Sequence, residues 1–136
     1  MNQYTIFCTP AQTHKALSLG APIEVFGFED TSRQMVEIAK QEGQLEELES
    51  ELNKTDHAAI IGDLAYVLPT SEQICGWLEE VHHIRFNVYR YGGNDDASIF
   101  FKEDRRRTFY RIKRSYKEAL LACIDEALDY LIQTKV

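Results

Sequence analysis

The sequence predicts an α+β fold. Its C-terminal half, 69–136, reads α-β-β-β-α, with an antiparallel three-stranded meander packed on helices. Its N-terminal half, 1–68, adds short strands and helices to the same single domain. Three observations lead there. Residues 70–133 set three strand-like runs between two helical patterns. A hydroxyl residue followed three positions on by Gln or Glu recurs at Thr9/Gln12, Thr31/Gln34, Thr70/Gln73 and Ser115/Glu118, each ahead of a periodic segment. That is the capping-box signature, in which two orphan amide donors are satisfied reciprocally. A chain of 136 residues, 44% hydrophobic and 27% charged, has the size and composition of one globular domain.

The elements follow in order. QYTIFC (3–8) reads as a strand, and Pro10 stands at the first helical position after Thr9, where a missing amide proton is harmless. The helix it opens, 10–19, stops at Gly20, and Pro22 bars continuation. IEVFGF (23–28) is a short strand with Gly27 at a bulge or bend. Thr31 to Asn53 is acidic and helical, with Met35, Ile38, Leu45, Leu48 and Leu52 as its apolar stripe and Gly43 as a break. HAAII, the turn GD and AYVL give two short buried strands.

In the second half, PTSEQICGWLEEVH is a helix with Ile74, Trp77, Leu78 and Val81 on one face. Gly76 costs about 1 kcal/mol relative to Ala at mid-helix, which suggests a close approach there. HIRFNVYRY, ASIFFK and TFYRIKR are strands, joined by the turn GGNDD and the connection EDRRR. The last helix, 116–133, repeats Tyr116, Leu120, Cys123, Ile124, Ala127, Leu128 and Leu131 at helical spacing.

Charge is unevenly spread over a chain of net charge -7. Residues 1–83 hold 4 Lys/Arg against 14 Asp/Glu, and residues 85–117 hold 10 against 4. The net acidity argues against nonspecific nucleic-acid coating as the whole function. Strand alternation puts Arg85, Asn87, Tyr89 and Tyr91 on the outer face of the first strand, with Phe109, Arg111 and Lys113 on the third. Lys102 or Phe101 joins them according to register. Arg105, Arg106 and Arg107 extend from the connection. Cations interleaved with rings suit single-stranded nucleic acid, phosphates to the former and bases to the latter. The same residues also suit a half-exposed sheet held by cross-strand pairs, or one covered by the acidic half.

SYKEALLACIDEALDYL, together with the α-β-β-β-α order, resembles the second helix of the double-stranded-RNA-binding domain. In that family lysines at the helix start contact phosphates. The resemblance gives Lys117 this role, while Tyr116 and Leu120 replace the other two lysines. A second resemblance rests on CTPAQTHKALSLGAPIE, YVLPTSEQICGWLEE and SYKEALLACIDEALDYLI. These segments are similar to those of small proteins carried by phages and mobile elements. That likeness implies an accessory role, such as modulating a host protein or handling the element's nucleic acid.

Catalytic signatures are sparse. Glu79/His82 and Glu80/His83 have the spacing of bundle metal sites, but such sites need a second Glu-x-x-His and further carboxylates on other helices, and the sequence has none. Cys8 with His14 or His57 lacks an elbow or an orienting residue, and Asp95 and Asp96 read as turn residues. Cys8, Cys75 and Cys123 read as reduced thiols acting as small hydrophobes. With no leader-like start and no long apolar run, the expectation is a cytoplasmic, non-enzymatic interaction protein. It needs no cofactor, metal or membrane. Its partner is a host or element protein, with nucleic acid as the alternative.

Overall fold

The computed structural model describes residues 5–91, 94–101, 106–112 and 116–134, with side chains in the last three strands described at 84–87 and 98–101. The fold is mixed α+β: among the described residues there are five helices and two small antiparallel sheets. The chain divides into two compact units, Phe7–Pro69 and the pair of segments Met1–Ile6 and Thr70–Val136.

In the Phe7–Pro69 unit, α1 (Pro10–Ser18) starts where its cap dictates. The Gln12 amide donates to Thr9 Oγ1 at 3.1 Å, and the Thr9 amide donates to Gln12 Oε1 at 2.9 Å. Among residues 5–8 the expected strand shrinks to an isolated bridge at Phe7. The Cys8 amide donates to the Pro69 carbonyl at 2.9 Å, but Pro69 has no N–H to return and the ladder stops. IEVFGF likewise keeps one bridge, Val25 to Tyr66, before Gly27 (φ 74°) turns the chain away.

α2 (Glu29–Gln41) corrects the cap expected at Thr31. Its N-cap is Phe28, without a side-chain hydrogen bond, and Thr31 lies inside the first turn. Glu29 and Asp30 in that turn complement the helix N-terminus instead. The buried face is also rotated from the one expected: Ser32, Val36 and Ala39 are buried, while Ile38 is 52% exposed and Met35 half-buried. The cause is a tertiary hydrogen bond, from the Ala65 amide to Ser32 Oγ at 2.8 Å. Gly43 (φ 68°) separates α2 from α3 (Leu45–Thr55), as the sequence suggests. β1 (Ala58–Ile61) and β2 (Leu64–Val67) form a hairpin about Gly62-Asp63, closed by the Ile61–Leu64 pair. Leu52, Ala58 and Ala65 form the buried cluster, with Phe26, Met35, Leu48 and Ile60 against it.

In the other unit, α4 (Ser71–His82) carries the second complete capping box, Thr70 with Gln73. It buries Ile74 and Leu78, but Val81 is 57% exposed because only two turns of the helix face the core. Gly76 is open: a Cβ there meets nothing within 4 Å, so it serves no close approach. His83 ends the helix in the left-handed region (φ 56°, ψ 40°).

β3 (Ile84–Tyr91) pairs antiparallel with β4 (Asn94–Phe101), and β4 with β5 (Arg106–Ile112). Ile84 and Phe86 stand opposite Phe101 and Ile99, and α5 (Tyr116–Thr134) packs on these strands. The α5 stripe buries Ala119, Leu120, Cys123, Ile124, Ala127, Leu128 and Leu131, with Phe101 and Tyr130 rings 4.4 Å apart. Tyr116, expected in that stripe, is 50% exposed because the buried face begins one turn later, at Ala119. The cap expected at Ser115 lies outside the described residues.

Candidate interaction surfaces

The register of β3, β4 and β5 sorts the expected basic face into rows. Arg85, Phe100 and Arg107 stand across one another, then Asn87, Ser98 and Phe109, then Tyr89, Asp96 and Arg111. Arg106 and Arg107 are therefore strand residues, opposite Phe101 and Phe100, and not part of a connection. Asp95 and Asp96 are strand residues too, since β4 begins at Asn94, opposite Tyr91. Two residues between the closing pair are enough for a hairpin link, so the acids of GGNDD are drawn into the ladder. This places Asp95 opposite Arg90 and Asp96 opposite Arg111, setting carboxylate positions amid the basic strands. Lys102, Arg105 and Lys113 lie outside the described residues.

Arg85 and Asn87 are exposed, Phe100 is half-buried and Ser98 is buried. Arg85 Nε lies 3.7 Å from Glu79 Oε1 of α4, an exposed pair whose charges partly cancel. Lys117 is exposed in the first turn of α5. Leu120, at the position of a further lysine in the double-stranded-RNA-binding domain, belongs to the buried stripe of α5. Lys117 is the one Lys or Arg between Tyr116 and Thr134.

The Phe7–Pro69 unit carries the chain's whole net charge: 4 Lys/Arg against 11 Asp/Glu, a balance of -7. The other unit holds 11 of each. On the acidic unit Phe28 is 83% exposed at the start of α2, and Ile38 is exposed three turns further on. A hollow of about 300 Å³ beside α2 is lined by Arg33, Val36, Glu37, Lys40 and Asp63. Both its cations are paired, Arg33 with Glu29 at 3.2 Å and Lys40 with Asp63 at 2.9 Å. The Lys40 hydrogen bond, with its charge, holds the Asp63 carboxyl below its ordinary value.

The groups considered for chemistry are placed as follows. Cys8 is buried and His14 exposed, while His57 stacks on Phe7 with ring centroids 4.1 Å apart. Burial pushes the Cys75 and Cys123 thiols up to about 12, so both stay protonated at neutral pH; the Cys123 side chain raises Cys75 further. Glu79 faces Arg85, whereas His82 meets the edge of Trp77, with ring centroids 4.8 Å apart. Among the described residues no group of three or more His, Cys, Asp or Glu side chains is arranged to hold a metal ion. Among the same residues no helix is long and apolar enough to cross a membrane.

No family model, curated protein or solved structure matches this chain. Its functional reading therefore rests on its own surfaces. Sequence reasoning missed Phe28 because a lone aromatic ahead of an acidic helix looks like a strand end. Its flanks offered a signal: Gly27 before it and two acids after it break the strand pattern.

Proposed function

We propose that this chain is a non-enzymatic intracellular accessory protein that acts by binding another protein. It belongs in this reading with the small phage and mobile-element proteins that its capped helices and last helix resemble. The observation that carries the reading is Phe28, a large apolar side chain left 83% exposed on a unit otherwise rich in charge. Exposed aromatics are the usual anchors of protein interfaces, because they combine large apolar area with little conformational entropy to lose. The test is photo-crosslinking of the full chain in host lysate at two salt concentrations. A reproducible protein adduct is expected, and its absence at both concentrations refutes the reading.

A second reading, nucleic-acid binding, draws on the rows of the C-terminal strands. There an αβββα meander backed by helices would present Arg85, Tyr89, Tyr91, Arg107 and Arg111 with Phe109 outward. Arg105, Lys113 and Lys117 would add to it, whereas the register sets Arg106 in the row of the buried Ile84 and Phe101. Against it stand Asp95 and Asp96 within the same ladder and the Glu79 partner of Arg85. Polarisation titrations with duplex RNA, duplex DNA and single strands decide the matter. Binding through phosphates must weaken steeply with salt. Flat curves at low salt refute it, and a signal unchanged by Arg107→Ala with Arg111→Ala misplaces the site.

A further inference from the structure

The β3–β4–β5 sheet ends on a basic edge strand. Among the described residues β5 pairs with β4 and with no further strand. In an antiparallel ladder every second residue turns its N–H and C=O away from the strand it pairs with. Among the described residues, the outer edge of β5 therefore keeps a row of backbone groups open to another strand. α5 lies mainly over β4 and β3 and only grazes β5, whereas α4 and α5 both pack on β3 at the other edge. The edges differ in charge as well. Three of the seven residues of β5 are Arg and none is acidic, while Arg85 of β3 already has Glu79 beside it. Alternation sets Arg107, Phe109 and Arg111 on one face of β5. Asp96 stands next to Arg111 in its row, but the row of Arg107 holds Phe100 and Arg85 and no acid.

From this we infer that β5 takes up an extended acidic segment of another protein as the fourth strand of the sheet. The segment's backbone completes the outer ladder of β5, a mode in which main-chain pairing gives affinity and alternate side chains give specificity. Directly opposite residues in such a pair stand about 5 Å apart at Cβ. A partner reading acid-x-apolar-x-acid therefore sets its carboxylates at the positions opposite Arg107 and Arg111, and its apolar residue opposite Phe109. The inference rests on the protein-binding reading above and adds a second surface and a partner class to it. Charge selects the occupant. Full antiparallel overlap of β5 with a second copy sets Arg107 opposite Arg111 twice, and like charges directly opposite are unfavourable. A basic segment is disfavoured for the same reason. A nucleic acid offers phosphates to these arginines but no amide groups to continue the ladder, and it meets Asp95 and Asp96 in the same sheet.

The experiment is fluorescence anisotropy of the full chain with a labelled synthetic peptide built on Glu-Thr-Val-Thr-Glu. Two further peptides carry N-methyl groups on alternate amides, one in each phase, and another replaces Glu by Lys. Strand addition predicts saturable binding that one N-methyl phase abolishes and the other leaves intact, because only one set of amides faces β5. Arg107→Glu with Arg111→Glu should weaken the Glu peptide by about tenfold or more and let the Lys peptide bind. Lys54→Glu, at an exposed site in the other unit, should leave binding unchanged. Equal binding of the two N-methylated peptides, or an unchanged affinity of the Glu peptide for the double variant, overturns the inference. Should the double variant not fold, the N-methyl comparison on the wild-type chain decides. A single-stranded oligonucleotide that binds where no peptide does assigns these strands to nucleic acid and overturns the inference. A crosslinked lysate partner without any peptide binding overturns this surface and leaves the protein-binding reading standing. Absence of any lysate partner refutes that reading itself.

Discussion

Replacing Ser32 by Ala tests the contact that sets how α2 sits on the β1–β2 hairpin. Ser32 Oγ accepts the Ala65 amide at 2.8 Å, and both residues are buried, Ala65 completely. The Ala65 carbonyl, on the same edge, accepts the Phe26 amide at 2.9 Å, so both backbone groups of Ala65 are used. Removing the hydroxyl orphans a buried N–H that water cannot reach, which costs about 1–3 kcal/mol. Alanine's better helix propensity returns roughly 0.5 kcal/mol. The net loss expected is about 0.5–2.5 kcal/mol, and each kcal/mol lowers the melting temperature by roughly 4–8 °C in a small unit. Ser50→Ala, at an exposed position of α3, experiences the propensity change alone and serves as reference. Thermal melts give the overall difference, and hydrogen exchange at the Ala65 amide localises it. If Ser32→Ala is as stable as Ser50→Ala, with Ala65 exchange unchanged, the proposed cause of the α2 rotation is wrong.

Three further outcomes follow from local geometry. Thr9→Ala should destabilise by about 1 kcal/mol through loss of the α1 cap. Thr31→Ala, which removes no cap, should be neutral or slightly stabilising in the same urea titration; a comparable loss at Thr31 would contradict its place inside the helix. Gly76→Ala should stabilise by roughly 0.5–1 kcal/mol, since the helical position is open and the unfolded chain loses freedom; a lowered melting temperature would mean that the site is crowded. Asp63 titrates below its ordinary value of 3.8 because Lys40 favours its charged form. The folded carboxyl is depressed, so this contribution is present above the unfolded value and is lost as pH falls through the folded one. Lys40→Met should raise the Asp63 midpoint in a carboxyl NMR titration, and an unmoved midpoint would refute the pairing.

Much of the local frame was legible because the deciding residues lie within one turn of each other. Thr9 with Gln12, Thr70 with Gln73, and the left-handed Gly43 each settle a boundary without reference to the rest of the chain. The α5 stripe was equally plain from Leu120 onward, since a helix packed on one side must repeat its apolar positions. The binding candidates were less legible. Whether Arg106 and Arg107 lie in a link or a strand depends on where β4 starts, and that depends on pairing with β3.

Sequence alone thus determined the α+β class, two complete helix caps, the break at Gly43 and the segregation of acidic from basic stretches. Tertiary structure decided the rotation of α2, through a hydrogen bond between residues 33 apart, and with it the exposure of Ile38. It also decided that Asp95 and Asp96 stand within the basic strands and not at their turn. The physical reason is the same in each case. A cap or a stripe is an interaction between sequence neighbours, whereas a helix's buried side and a strand's register are chosen by partners far along the chain.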